Sequence, residues 1–349
     1  MATEPWLEDL ARSGRDPHQG ATCLEDGLPD RGFCLMDDTA LLSVAGPEAE
    51  SFLQGQLTCD VRDLPGGALR PAAHLNPKGR AIASFLAWHV DGAYLLAFPA
   101  ALQETVTRRL RMFLLRSKAT IGPPEPPLVG LGAWGDAAEA VVRETFAEPP
   151  VGPWRATRGD GISLLSLPGQ GPRFAFLVPE ARAAELAGRL DRAGCAYRPS
   201  AAWRLLDIRA GLGWVRAETG EAFLPQMLNY DALDGIGFTK GCYVGQEVVA
   251  RLHHLGQVKR RAYPASVATA SPPEPGTPLH EPGGSGRQGV GTVVDAVAVG
   301  DGACELLAVV EKRARETGGL RLGSADGPHV TLRDPPYPLP APREAARRA

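Results

Sequence analysis

Glycine and proline interrupt this chain so often that long uniform helices and strands are excluded. Of its 349 residues, 41 are Gly and 32 are Pro. Gly weakens the interior of a helix or strand through its conformational freedom, and Pro lacks a backbone donor, so both concentrate in turns. The spacing therefore predicts many short elements. A chain of this length is also too long for one ordinary core, so two or three domains are expected.

The composition is that of a globular protein, with 44% hydrophobic and 22% charged residues, which excludes general disorder. The net charge of −3 provides no global attraction to nucleic acid or to a membrane surface. The first 25 residues lack the apolar core of a secretory signal, and no run of 18 apolar residues occurs. We therefore expect a soluble, cytoplasmic protein without a membrane partner.

The six cysteines are scattered and form no Cys-x-x-Cys pair. Zinc sites and iron–sulfur clusters take several closely spaced ligands, so no metal site is expected on this chain alone. In a reducing compartment these residues are expected to be thiols.

Hydrophobic periodicity predicts a mixed α+β arrangement in the first part of the chain. Asp91-Gly92 between two apolar runs is typical of a β-hairpin. The predicted elements are a strand at 40–45, a helix opened by Gly46-Pro47, strands at 69–75, 81–90 and 93–98, and a helix at 100–118.

The remaining chain predicts a second α+β unit and then a β unit. Beyond Lys259, short apolar runs broken by Gly and Pro favour a small antiparallel barrel or sandwich. The predicted elements are a strand at 174–178, a helix from Pro179 to Gly194, a helix capped by Ser200 that ends at Gly211, and strands at 261–267, 289–299, 305–310 and 329–332.

A Pro-rich stretch at 122–127 reads as a linker between subdomains. The predicted organisation is a lead-in segment at 1–30, a first α+β subdomain at 31–121, a second at 122–255, a β-barrel at 256–335 and a flexible tail at 336–349.

One segment in the second half of the chain is unusually rich in features suited to a ligand. Gly241 and Gly245 allow sharp turns and a close backbone approach, and Gln246 and Glu247 begin a helix. On physical grounds alone this is either a ligand-approach loop or a strand–loop–helix corner whose glycines serve geometry.

A resemblance adds to this interpretation. The run resembles the signature of the YgfZ family, Lys-Gly-Cys-aromatic-x-Gly-Gln-Glu, and matches it at every specified position. The similar segments are Lys240-Gly241-Cys242-Tyr243-Val244-Gly245-Gln246-Glu247, 223–229, Val249-Ala250-Arg251, 44–58 and Asn76-Pro77-Lys78-Gly79-Arg80, within a similarity that spans roughly residues 30–335.

The resemblance implies the fold of the glycine-cleavage T-protein. In that α+β fold, two mixed α+β subdomains surround a central folate pocket and a C-terminal antiparallel β-barrel follows. It also implies tetrahydrofolate, or a derivative, as ligand. The implied role is assembly or repair of iron–sulfur client enzymes, including those that modify tRNA.

A folate needs three kinds of contact. A carboxylate accepts the paired N–H groups of the pterin, aromatic or apolar walls pack on its ring, and cations meet the anionic glutamate tail. The candidate folate-binding residues are Lys240, Gly241, Tyr243, Gly245, Gln246, Glu247, Arg251, Gln226, Asn229, Lys78 and Arg80.

Each candidate also has an ordinary structural interpretation. Glu247 equally suits the first turn of a helix, Tyr243 a core position, and the cations a solvated surface. Cys242 lies beside Lys240 and a helix N-terminus, which favours the thiolate and makes it the candidate reactive thiol. The alternative for Cys242 is a small buried residue in a tight loop.

Three functions compete: a folate-binding accessory factor, a folate-dependent aminomethyltransferase or demethylase, and an RNA-contacting module. T-protein enzymes resemble this chain but carry an Asp after the turn that corresponds to 76–80. Here no carboxylate lies between Arg80 and Asp91, and a general base must reach its proton at about 3 Å. The T-protein reaction is therefore not expected, whereas folate-dependent chemistry of another kind stays open.

Direct nucleic-acid contact is not expected either, because the net charge is −3 and no RNA-binding motif occurs. Two basic stretches, 108–118 and Lys259-Arg260-Arg261, keep an anionic partner open as an alternative.

Overall fold

The computed structural model describes residues 24, 27–283, 289–300 and 302–341. Most of the predicted lead-in segment, Cys23 and the end of the predicted tail lie outside the described residues. Helices α1–α7 are Ala49–Gln56, Gln103–Leu114, Asp136–Thr145, Ala183–Arg192, Ala201–Arg209, Gln246–Leu255 and Lys312–Thr317. Short 3₁₀ helices are Val61–Gly66, Ala100–Leu102, Glu180–Arg182, Ala217–Thr219 and Pro225–Leu228.

The strands, in chain order, are β1 (Gly32–Leu35), β2 (Thr39–Ala45), β3 (Arg70–Leu75), β4 (Ala81–Val90), β5 (Ala93–Pro99), β6 (Thr120–Gly122), β7 (Leu128–Trp134), β8 (Arg155–Gly159), β9 (Ile162–Ser166), β10 (Arg173–Pro179), β11 (Ala196–Tyr197), β12 (Arg260–Ala268), β13 (Pro278–His280), β14 (Gly291–Ala298), β15 (Ala303–Glu311), β16 (Arg321–Leu322) and β17 (Val330–Leu332). Among the described residues, no helix is long and apolar enough to cross a membrane.

Two compact units divide the described chain, and neither is continuous in sequence. Unit 1 contains the residues up to Ala49 together with Asp63–Leu69 and Ala87–Leu206. Unit 2 contains Glu50–Arg62, Arg70–Leu86 and the chain from Asp207 onward. The predicted division into three consecutive domains with a lead-in segment and a tail stays a prediction.

Unit 1 contains a six-stranded sheet with the order β11-β1-β7-β10-β9-β8. Its pairs are antiparallel except for β1 with β11. Helices α3 and α4 bury Val141, Val142, Leu186 and Leu190 in one cluster with Phe176 and other sheet residues. Strand β10 and helix α4 confirm the sequence prediction, whereas β7, β8, β9 and α3 had no predicted counterpart.

A five-stranded sheet has the order β3-β4-β5-β2-β6. The predicted Asp91-Gly92 hairpin is confirmed, since both residues adopt positive φ values of 49° and 77°, as a two-residue turn of this kind requires. Strands β3 and β4 match their predictions closely. The helix predicted at 100–118 is shorter, because a 3₁₀ turn precedes α2 and the helix ends at Leu114.

Unit 2 contains a six-stranded antiparallel sheet with the order β16-β13-β14-β15-β12-β17. Strands β12 and β15 pair along their full length, from Arg260 opposite Glu311 to Ala268 opposite Ala303. A register shift between Val293 and Asp295 bends β14. The sheet is nearly closed, like a barrel, which confirms the antiparallel C-terminal β unit.

Candidate functional site

All twelve sequence-predicted site residues belong to unit 2. The segment 57–60, which follows helix α1, contacts Lys240 and the chain just before it. The Thr58 hydroxyl donates to the Gly235 carbonyl at 2.7 Å and accepts the Ala73 N–H at 2.9 Å. The Gly237 N–H donates to the Thr58 carbonyl at 2.8 Å. Thr58 therefore fixes the chain just before the signature loop, 240–247, and sequence reasoning had not singled it out.

Gln54 and Asp60 close the end of α1. The Gln54 amide donates to Asp60 at 2.8 Å, and its oxygen accepts the Val61 N–H at 3.0 Å. Hydrogen bonds from Arg62 and then Gln54 hold the pKa of Asp60 well below its usual range. The carboxylate is therefore ionised and keeps this end of the helix fixed.

Lys240 is the first residue of the signature loop, and it is only 6% exposed. Its Nζ donates to the carbonyls of Leu57 at 2.7 Å and Cys59 at 2.6 Å, and it lies 5.0 Å from the centre of the Tyr243 ring. These carbonyls follow the C-terminal end of α1, where a cation is favourable. Burial lowers the pKa of Lys240 to about 8. The residue thus anchors the loop from inside.

Gly245 allows the signature loop to lie directly on the turn at 76–80. It has φ 79° and ψ 1°, immediately before α6. A Cβ added there would lie 2.5 Å from the Asn76 carbonyl oxygen and 3.0 Å from the Gly79 Cα. Gly241 differs, because an added Cβ would meet nothing within 4 Å. The contacts within the chain therefore require glycine at 245 but not at 241.

Asn76 shapes the turn that carries Lys78 and Arg80. Its Oδ1 accepts the backbone N–H groups of Lys78 at 2.9 Å and Arg80 at 3.0 Å. Its Nδ2 donates to Glu221 at 2.7 Å. The Arg80 guanidinium donates to the Ala222 carbonyl at 2.5 Å. An Asn that precedes Pro-x-Gly is a turn signal, so Asn76 could have been found from sequence, whereas Glu221 could not.

Gln226 and Asn229 are fully buried. The Gln226 amide donates to the Val249 carbonyl of α6 at 2.8 Å, and the Asn229 amide donates to the Ala262 carbonyl at 2.8 Å and the Tyr337 hydroxyl at 3.1 Å. Their side-chain oxygens accept no hydrogen bond from the described residues. Both side-chain amides therefore hold neighbouring backbone segments in position.

Tyr243 and Gln246 stabilise the loop where it enters α6. The Gln246 Oε1 accepts the Tyr243 N–H at 3.3 Å, and the Gln246 N–H donates back to the Tyr243 carbonyl at 3.2 Å. Tyr243 is 7% exposed, and burial raises the pKa of its hydroxyl.

A second group of candidates faces solvent: Cys242, Glu247, Arg251, Lys78 and Arg80. Among the described residues, the side chains of Glu247 and Arg251 have no hydrogen-bond or ion-pair partner. The signature loop, helix α6 and the turn at 76–80 thus present one carboxylate, three cations and a thiol to solvent.

Cys242 differs from the other described cysteines, since Cys34, Cys59, Cys195 and Cys304 are buried. Burial raises the pKa of the Cys34 and Cys59 thiols to about 12 and that of Cys195 to about 11. Among these five residues, only Cys242 offers a thiol to a molecule outside the chain.

Comparison with known proteins shows to which family the chain belongs. No family model matches the chain. The chain is 33% identical over 304 residues to the tRNA-modifying protein YgfZ of Klebsiella pneumoniae, which covers 87% of this chain and 92% of the relative. The YgfZ of Colwellia psychrerythraea is 30% identical over 312 residues, or 89% and 95% of the two chains. The chain belongs to the YgfZ family.

A similar solved structure shows the fold of this YgfZ-family chain. The aminomethyltransferase T of the glycine cleavage system from Bartonella henselae superposes with a TM-score of 0.66 at 16% identity, over 88% of this chain and 86% of that one. This YgfZ-family chain therefore has the T-protein fold. Both the family resemblance and the predicted fold class are confirmed.

Proposed function

We propose that this chain is a tetrahydrofolate-binding accessory protein of the cytoplasm that supports the assembly or repair of iron–sulfur enzymes, including tRNA-modifying ones. The observation that carries the proposal is identity of about 30% along nearly the whole chain with proteins named tRNA-modifying protein YgfZ. The T-protein fold supports folate, or a derivative of it, as the ligand.

The candidate residues divide into two roles under this proposal. The exposed Glu247 accepts the paired pterin N–H groups, because an ionised carboxylate can take both donors at once. Arg251, Lys78 and Arg80 are the cations for the glutamate tail. Gly241 leaves room for the ligand, since nothing lies within 4 Å of an added Cβ.

The buried candidates hold the site in place. Lys240, Gln226 and Asn229 bind backbone carbonyls of unit 2, and Gly245 lets the loop and the turn touch. Tyr243 and Gln246 fix the start of α6. The exposed Cys242 thiol is the group we assign to transient contact with a client enzyme.

An accessory role is favoured over aminomethyl transfer by the residues that follow the turn. Ser84 and Ala83 are buried in β4, and the Ser84 hydroxyl accepts the Val215 N–H at 2.8 Å. A general base for the folate nitrogen needs a basic group within about 3 Å of its proton. A hydroxyl already bound to backbone cannot replace the carboxylate of the enzyme.

Calorimetric titration with tetrahydrofolate under anaerobic conditions tests the folate assignment. We expect saturable micromolar binding by the wild type and at least about tenfold weaker binding by Glu247→Gln, since hydrogen bonds to a charged group contribute about 1.5–3 kcal/mol. Glu218→Gln is the matched control. Glu218 is another exposed acid in the first turn of a helix in unit 2.

The control variant should bind like the wild type, and thermal melts should show all three proteins folded. Folded wild-type protein that gives no saturable heat with tetrahydrofolate would exclude the folate assignment. Equal affinities for the wild type and Glu247→Gln would remove Glu247 from the site.

A further inference from the structure

The two basic stretches of the sequence differ in how far their charges are paired within the chain. In Lys259-Arg260-Arg261, Arg261 is 2% exposed and binds Asp231 through two nitrogens at 2.5 and 2.8 Å. Arg260 donates to Glu311 at 2.7 Å. Two of the three charges are therefore neutralised within unit 2, and this stretch offers little to an anionic partner.

The other stretch, Arg108 to Lys118 in unit 1, keeps most of its charge at the surface. We call it the α2 tip. It contains Arg108, Arg109, Arg111, Arg116 and Lys118 and no acid. Two carboxylates lie close by: Glu104 binds Arg108 at 3.2 Å in an exposed pair, and Glu48 accepts the Lys118 backbone N–H at 2.9 Å.

Three of these cations, Arg111, Arg116 and Lys118, keep an unneutralised charge among the described residues. Arg111 donates to the Ile121 carbonyl at 3.0 Å, which orients the guanidinium without neutralising it. Among the described residues, the side chains of Arg116 and Lys118 have no hydrogen-bond or ion-pair partner, and both are exposed. The α2 tip therefore carries a local excess of positive charge although the whole chain is negative.

Apolar side chains interrupt this basic surface. Met112 is 60% exposed, Phe113 38% and Leu115 89%. Six large hydrophobic side chains are exposed in the described part of the chain, and three of them lie within residues 112–115. Such a concentration marks an interaction site better than scattered exposed residues do.

Leu115 is also strained. It flanks the C-terminal end of α2 with φ 40° and ψ −105°, where helices commonly place Gly because a positive φ is unfavourable for other residues. Its side chain gains almost no burial in return. Neither packing nor backbone conformation explains a leucine here, which points to a contact outside the chain.

We propose that the α2 tip is a contact surface for RNA. Phosphates require Arg and Lys, whose attraction is governed by charges within about 10 Å rather than by the net charge of the protein. Unstacked bases pack on aromatic, guanidinium and apolar groups, which Phe113, Arg116 and Leu115 provide. This proposal departs from the expectation drawn from net charge alone, that nucleic acid is not contacted.

This inference goes beyond the proposed function and does not depend on folate, since the α2 tip belongs to unit 1 and the signature loop to unit 2. Fluorescence anisotropy with an end-labelled, unmodified tRNA transcript provides the test. The full chain is titrated at several salt concentrations between about 50 and 200 mM, where phosphate contacts lose most of their strength.

Two matched double variants locate the contact. Arg116→Gln with Lys118→Gln removes two cations from the α2 tip, and Lys259→Gln with Arg313→Gln removes two exposed cations from unit 2. Both change the net charge equally. We expect the first to weaken binding at least about tenfold at low salt and to reduce the salt slope by about 1.4. The second should behave like the wild type.

A third variant separates recognition from stability. Leu115→Gly relieves the positive φ, so its melting temperature should be equal to or higher than that of the wild type, while its affinity for the transcript falls. Duplex DNA of similar length and vesicles containing phosphatidylglycerol are parallel titrations. We expect weaker binding to the duplex, which presents no unstacked bases, and none to the vesicles.

Each of three outcomes would overturn the proposal. These are the absence of saturable binding of the wild type to the transcript at the lowest salt concentration, an equal loss of affinity in the two double variants, and binding to the vesicles but not to the transcript. Unchanged affinity of Leu115→Gly would overturn the apolar part of the contact.

Discussion

Replacing Lys240 by Met tests whether a buried ammonium anchors the signature loop. The variant keeps a long, unbranched side chain but leaves the Leu57 and Cys59 carbonyls without the donor that lies 2.7 and 2.6 Å away. An unsatisfied buried acceptor costs about 1–3 kcal/mol, and relief of the buried charge offsets part of that. We expect the free energy of unfolding to fall by about 1–3 kcal/mol at pH 7.

The pH dependence of the free energy of unfolding tests the buried Lys240 ammonium more sharply. Burial lowers the pKa of Lys240 from 10.5 to about 8. Between these values the unfolded chain binds the proton and the folded chain does not, so this group makes the wild type more stable as pH rises. Below the folded-state pKa both states are protonated and the contribution is constant.

At about pH 9.5 the gain should reach about 2 kcal/mol, since one pH unit corresponds to about 1.4 kcal/mol. Lys240→Met cannot make this gain. The stability difference between the two proteins should therefore widen by that amount between pH 7 and pH 9.5. Cysteines that are buried in the folded protein titrate in this range only in the unfolded chain, because burial raises the pKa of their thiols. They are present in both proteins and cancel in the difference.

Urea unfolding followed by far-UV circular dichroism at the two pH values measures this difference. Lys78→Met is the control, because Lys78 is exposed on the adjacent turn and its replacement should change stability by less than about 0.5 kcal/mol at either pH. A difference for Lys240→Met that stays constant or narrows as pH rises would refute the buried ammonium.

Two further predictions concern the signature loop. Gly245→Ala should destabilise the protein by about 1–3 kcal/mol in thermal or urea unfolding, because Gly245 has a positive φ and an added Cβ would lie 2.5 Å from the Asn76 carbonyl oxygen. The control Gly241→Ala should be nearly neutral. Equal effects of the two substitutions would show that the close approach is absent. Cys242→Ser should retain tetrahydrofolate affinity but fail to restore modified tRNA nucleosides, measured by mass spectrometry in cells that lack the protein, while the buried Cys304→Ser should restore them. Full restoration by Cys242→Ser would remove the thiol from the function.

Local sequence patterns were sufficient to predict those helices and strands whose turn residues and apolar runs are adjacent in sequence. The Asp91-Gly92 hairpin and strands β4, β12, β14, β15 and β17 appear where apolar runs and turn residues predicted them, whereas β13 and β16 had no predicted counterpart. Strand β7 escaped prediction because Gly130 and Gly132 interrupt its apolar run. Gly132 is there because an added Cβ would lie 2.3 Å from the Trp203 ring, a contact between residues distant in sequence.

The sequence by itself determined the family, the fold class and the segment that carries the candidate site, because the signature is contiguous and its residue types are specific. Only the tertiary structure decided what each residue does. Lys240 begins the signature loop and Arg251 lies in α6 shortly after it. Both are cations, yet the first is buried against the end of α1 and the second is exposed to solvent. Burial and hydrogen-bond partners arise from segments far apart in the chain, so no local pattern can reveal them. For the same reason, the neutralised Arg261 and the exposed Arg116 look alike in sequence and differ only in the folded protein.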